Sequence, residues 1–71
     1  MATKVLGYRE LTESEIGLMN MVKTEAEEIG KLVAILRATP ELDQRWVSIG
    51  ATDLQTGFMA LVRAVAQPTT F

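Results

Sequence analysis

Ala38-Thr39-Pro40-Glu41-Leu42-Asp43 is the break between two long helical patterns, and it decides the fold. Pro40 has no backbone N–H and cannot continue a helix, and it pushes Thr39 out of the helical region. Asp43 then offers a side-chain oxygen to the first free N–H groups of the next helix. A connection this short makes the two helices antiparallel neighbours. The expectation is an all-α chain in one domain, residues 1–71. It has a short N-terminal arm (1–11), a helix (12–38), a turn (39–43), an antiparallel helix (44–66) and a tail (67–71). This two-helix hairpin is expected to assemble into a helical homo-oligomer.

Upstream of the break, Leu11-Thr12-Glu13-Ser14-Glu15-Ile16 carries two helix-start devices. Thr12 and Glu15 make a T-x-x-E capping box, and Leu11 with Ile16 makes a hydrophobic staple. Glu13 and Glu15 also suit the positive end of the helix dipole. From there Met19, Val22, Ala26, Ile29, Val33 and Leu36 alternate spacings of three and four, a heptad-like seam. A second stripe, Leu18, Met21, Leu32 and Ile35, needs a further neighbour, most simply another chain. Glu25, Glu27, Glu28, Lys31 and Arg37 are expected to face solvent.

Downstream, Val47, Ala51, Leu54, Phe58, Leu61 and Val65 repeat the spacing, and Trp46, Met59, Val62 and Ala66 broaden the apolar surface. Gly50 and Gly57 each weaken a helix interior by roughly 1 kcal/mol relative to Ala. Seven residues apart, they lie on nearly one face, which implies close approach of another helix or a bend near Ile49-Gly50-Ala51. Gln67-Pro68 ends the helix, and Phe71 in the tail is expected to anchor on a neighbour.

Seventy-one residues bury a modest share of their surface. Small scaffolds usually need disulfides, a metal or oligomerisation. The chain has no Cys, which removes disulfides and thiolate sites. It has no His, and with no clustered carboxylates a transition-metal site is not expected. Oligomerisation remains, in keeping with 48% apolar residues and a mean hydropathy of +0.16. A net charge of −2 gives no general attraction for DNA or RNA polymers or for an anionic membrane. The N-terminal MATKVLGYRE lacks the apolar run of a signal peptide, and no stretch approaches a membrane span. The reading is a soluble, intracellular chain, and its lack of Cys fits a reducing compartment.

Few residues are left to carry chemistry. Tyr8, the only tyrosine, is either a ring packed on the hairpin or a partner, or a stacking platform for a nucleobase. The residues alone favour packing. Arg9 beside it suits stacking or a phosphate. Lys23 lies next to the seam, where a lysine usually covers apolar surface with its stem; its functional reading is a point charge for phosphate. Tyr8 of one chain meeting Lys23 of another is the simpler geometry, which places a site at an interface. Arg63 is expected to pair with an acidic group of a neighbouring chain. Asp53 lacks the orienting partner or metal that a general base needs. Trp46 with Arg45 suits a core anchor better than a recognition pair, and Met19, Met21 and Met59 suit core filler.

The stretches GYRELTESEIGLMNMVK and RWVSIGATDLQTGFMALVRAVAQPTTF closely resemble the bacteriophage anti-CBASS cyclic-nucleotide sponge proteins of the second type. The resemblance covers both helices and the tail. It implies a small all-helical protein that assembles into a hexamer. Such a protein sequesters cyclic dinucleotides, and in some members cyclic trinucleotides, without cleaving them. It also implies that Tyr8 of the GYREL motif stacks on a base, that Lys23 meets the phosphates, and that Arg9 and Leu11 contribute as motif neighbours. Arg45 and Thr24 are candidates for a second, trinucleotide site. The turn here is short and Ala51 precedes Thr52, where many members have a longer turn and a basic residue.

The expected function is therefore a non-enzymatic sponge with no cofactor and no metal. It acts in the cytoplasm of the infected bacterial host and binds cyclic dinucleotides such as cyclic GMP-AMP. A competing reading is a structural or protein-binding oligomerisation module with no nucleotide ligand. A third, a phosphodiesterase, is opposed by the missing His, Cys and carboxylate cluster.

Overall fold

The structure is a computed structural model and describes residues 10–69. Tyr8, Arg9 and Phe71 lie outside the described residues. Two helices make up the fold, α1 (Glu13–Arg37) and α2 (Gln44–Ala66), packed as a hairpin.

Thr12 caps α1 in extended geometry. Its hydroxyl accepts from the Glu15 N–H at 3.2 Å, and the Glu15 carboxylate accepts from the Thr12 N–H at 2.9 Å. The capping box is thus complete, and two N–H groups that the helix cannot satisfy are paired. At the other end Ala38 donates to the carbonyls of Ala34 and Ile35. Asp43 caps α2, its Oδ1 accepting from the N–H groups of Arg45 and Trp46 at 3.1 and 3.3 Å. Gln67 closes α2 in the left-handed region, with φ 45°, and donates to Arg63 O at 2.8 Å. Pro68 then prevents continuation.

Gln44 latches the turn. Its Nε2 donates to Leu36 O in the last turn of α1 at 3.1 Å and to Thr39 O in the turn at 3.0 Å. Thr39 Oγ1 donates to Ile35 O at 2.7 Å, and Arg37 Nη1 reaches across to Ser48 Oγ at 3.5 Å. These contacts set the antiparallel register.

The α1 seam of Met19, Val22, Ala26, Ile29, Val33 and Leu36 is half-buried throughout, while Leu18, Met21, Leu32 and Ile35 stay exposed. On α2 the seam differs from the expected one. Val47, Ala51, Phe58, Val62 and Val65 turn inward, and Leu61 is 52% exposed. Eleven residues make close to three whole turns, so Val62 and not Leu61 returns to the side of Ala51. Two further expectations are corrected. Trp46 is exposed and is no core anchor of this hairpin, and Met21 and Met59 are exposed too, so neither fills its core. A Cβ added at Gly50 or Gly57 would meet nothing within 4 Å, so no backbone of this chain approaches them closely. The helix runs unbroken through Ile49-Gly50-Ala51.

Ala51 is the one buried apolar residue among those described. The molecule measures 50 × 23 × 17 Å, with a radius of gyration of 15.7 Å. A compact chain of this length would have about 11 Å. Two helices side by side cover one stripe each and leave the rest of their apolar surface open.

Candidate functional site: a cation-rimmed groove along the hairpin

One flank of the hairpin is a groove of about 1190 Å³. Its floor is seam side chains, among them Val22, Ala26, Val33, Phe58 and Val62. Lys23 and Arg37 reach it from α1, and Arg63 from α2. Gln55 and Thr56 add polar groups. No Asp or Glu lines it, although the chain holds nine acidic residues against seven basic ones.

Helix periodicity explains the arrangement. Lys23, Gly30 and Arg37 are seven residues apart, two full turns each, and so lie along one side of α1. The antiparallel register brings the last turns of α2, including Arg63, level with Lys23. Arg37 stands near the turn, about 20 Å of helix away. Gly30 adds no bulk between the two cations of α1. Positive charge is therefore gathered on a surface that is otherwise apolar. Such a surface suits an anion with flat, weakly hydrated parts better than a small hydrated ion.

The expected site residues fall in different places. Lys23 is exposed on the groove rim. Leu11 is half-buried one residue before the cap. Tyr8 and Arg9 lie outside the described residues. Thr24 lines a separate shallow hollow of about 260 Å³ with Gly17, Asn20, Met21 and Glu25. Arg45 sits at the hairpin tip with its guanidinium 5.5 Å from the centre of the Trp46 ring, a cation–π contact. About 20 Å of α1 separates Thr24 from the turn, so one chain does not bring Thr24 and Arg45 together. Arg37 is exposed, as expected, and it also borders the groove. The signal that joins Arg37 to Lys23 is the seven-residue interval through Gly30. Among the described residues no three His, Cys, Asp or Glu side chains are grouped to hold a metal ion. No helix among them is long and apolar enough to cross a membrane.

The chain is similar to Anti-CBASS protein 2 of Pseudomonas phage JBD67. The two are 36% identical over 99 aligned positions, which cover 92% of each chain. The alignment is longer than the 71 residues here, so that relative carries inserted residues. The family model for the Acb2/Tad1 hairpin domain matches residues 3–66, which takes in both helices and the turn. By that match and that identity, this two-helix chain belongs to the Acb2/Tad1 hairpin-domain family.

Proposed function

We propose that the protein is a phage anti-CBASS protein that binds cyclic dinucleotides and holds them away from the effectors they would switch on, without cleaving them. It would act in the cytoplasm of the infected host. The observation that carries this reading is the groove. Three cations, and no Asp or Glu among the described residues, line a largely apolar cleft in a chain whose net charge is −2. A cyclic dinucleotide presents two phosphates and two flat bases, which that chemistry suits. The name of the phage relative supports the same direction.

Lys23 is the phosphate contact in this reading, and Tyr8 of another copy the stacking ring, with Arg9 and Leu11 beside it. The site then lies between copies in a homo-oligomer, with a hexamer as the expected size. Two-fold symmetry would present each residue twice to a ligand that is itself nearly symmetric. A cyclic trinucleotide site from Arg45 and Thr24 would need two chains, because one keeps them apart.

The test is a depletion and recovery experiment. Excess protein is mixed with cyclic GMP-AMP, free nucleotide is measured after filtration, and the retained fraction is heated and analysed. Depletion followed by recovery of intact cyclic nucleotide is expected. Linear product accumulating with protein concentration would make the protein an enzyme, and no depletion would leave the oligomerisation-module reading in its place.

A further inference from the structure

Two polar, uncharged side chains line the groove among the described residues, Gln55 and Thr56. The Thr56 hydroxyl donates to Thr52 O at 3.0 Å, so it has only acceptor positions left to offer. Gln55 is exposed, and among the described residues its side chain makes no hydrogen bond. Its amide keeps an acceptor oxygen and a donor NH2 side by side in one plane.

Register places that amide in the middle of the cleft. Arg37 meets α2 at Ser48, whose Oγ lies 3.5 Å from the Arg37 Nη1. Gln55 comes seven residues after Ser48 and eight before Arg63. Those intervals are about 10 and 12 Å of helix, so Gln55 stands midway between the cations at the two ends. Met59 follows one turn later on the same side of α2, lines the same groove and is 72% exposed. A thioether is polarisable and makes favourable contacts with aromatic rings. Two neighbouring side chains of one helix thus offer a surface for a flat ring and a hydrogen-bonding pair for its edge.

We propose that Gln55 reads a base edge of the bound cyclic dinucleotide and selects adenine. The proposal rests on the sponge reading and names the base that site prefers. The cations at the ends of the cleft meet phosphates, and its uncharged middle is left for a base. Adenine sets its N6–H donor beside an acceptor on both open edges, N1 on one and N7 on the other. A glutamine amide matches such a pair in bidentate fashion. Guanine offers a donor beside an acceptor only on the edge that carries N1–H and O6. Its other edge has two acceptors, N7 and O6, which call for Arg or Lys. Those cations stand at the ends of the cleft and not beside Gln55. Uracil and cytosine match the amide on one edge and cover less of Met59.

The test is a comparison of base preference. Wild type, Gln55→Met and Gln55→Ala are titrated by calorimetry with cyclic di-AMP and with cyclic di-GMP. Helix content and particle size are measured in parallel. Met and Ala are both good helix formers, and each removes the donor and the acceptor together. Wild type is expected to bind cyclic di-AMP roughly tenfold more tightly than cyclic di-GMP. Both variants should lose that preference, with cyclic di-AMP weakened roughly tenfold and cyclic di-GMP changed by less than about threefold. Equal weakening of both ligands would make Gln55 a structural residue and overturn the proposal. A preference that survives in both variants overturns it as well, as does a wild type that favours guanine or binds the two alike. A wild type that binds neither nucleotide would sink the sponge reading itself, and this proposal with it.

Discussion

Lys23 shows how little a single residue reveals until its surroundings are known. A lysine beside a helix seam ordinarily lays its stem on apolar surface and leaves its charge in water. In this hairpin it stands on a groove shared with Arg37 and Arg63 and lined by no acid. Lys23→Ala should therefore weaken cyclic dinucleotide binding by about 1.5–3 kcal/mol per phosphate contact. It should also flatten the salt dependence of binding, since a charge partner is lost. Tyr8→Ala should cost about 1–3 kcal/mol per stacked base. Calorimetric titration at two salt concentrations, with particle size measured alongside, checks both variants. Wild-type affinity in both would move the site elsewhere, and dissociation of the Tyr8 variant would make that ring an interface anchor instead. The type and chain position of Lys23 were legible in the sequence. Its company was not, because Arg63 reaches it only through the antiparallel register of two helices.

At the scale of elements, both helix starts were legible, because a cap is a local device. Thr12, Glu15 and Asp43 act within three residues of themselves, and spacing alone locates them. The Gln44 latch was not legible. Its two acceptors, Leu36 O and Thr39 O, lie eight and five residues back along the chain. They come within reach only after the turn has formed. Gln44→Ala should lower stability by about 1 kcal/mol, as should Thr12→Ala through the lost cap. The two sites stand at opposite ends of α1, so their effects should add in the double variant. Urea denaturation of the three proteins at one fixed concentration measures this. A cost for Gln44→Ala near zero would mean that water replaces the latch. The seam of α2 marks the same limit from another side. A strict alternation of three and four puts Leu61 inward, and the true pitch of the helix puts Val62 there.

The whole molecule is a rod with one buried apolar residue among those described. Trp46, Met21, Met59 and Ile35 are each more than 60% exposed. On the proposed self-assembly, further copies would cover these side chains and stabilise the hairpin. Its midpoint of thermal unfolding should then rise with protein concentration, by mass action on an assembly that unfolds as it dissociates. Thermal scans across a hundredfold range of concentration, paired with sedimentation, check this. A constant midpoint together with a monomeric sedimentation coefficient would refute self-assembly and with it a site shared between copies. A constant midpoint with a stable multimer would mean that unfolding precedes dissociation.

The sequence by itself determined the helices, their caps, the turn at Pro40 and the family resemblance, because each of these rests on residues within a few turns of one another. It also determined that two helices cannot cover their own apolar surface, since stripe width and chain length are countable. The tertiary structure alone decided which flank gathers Lys23, Arg37 and Arg63. It also decided that Trp46 stands outside the hairpin core, and that the gaps at Gly50 and Gly57 are open. The physical reason is register. A helix fixes the angle of each side chain about its own axis, but the rotation and offset of one helix against the other follow from the turn and from the packing of both seams together. Only that pairing turns two amphipathic patterns into a groove that gathers three cations on one flank.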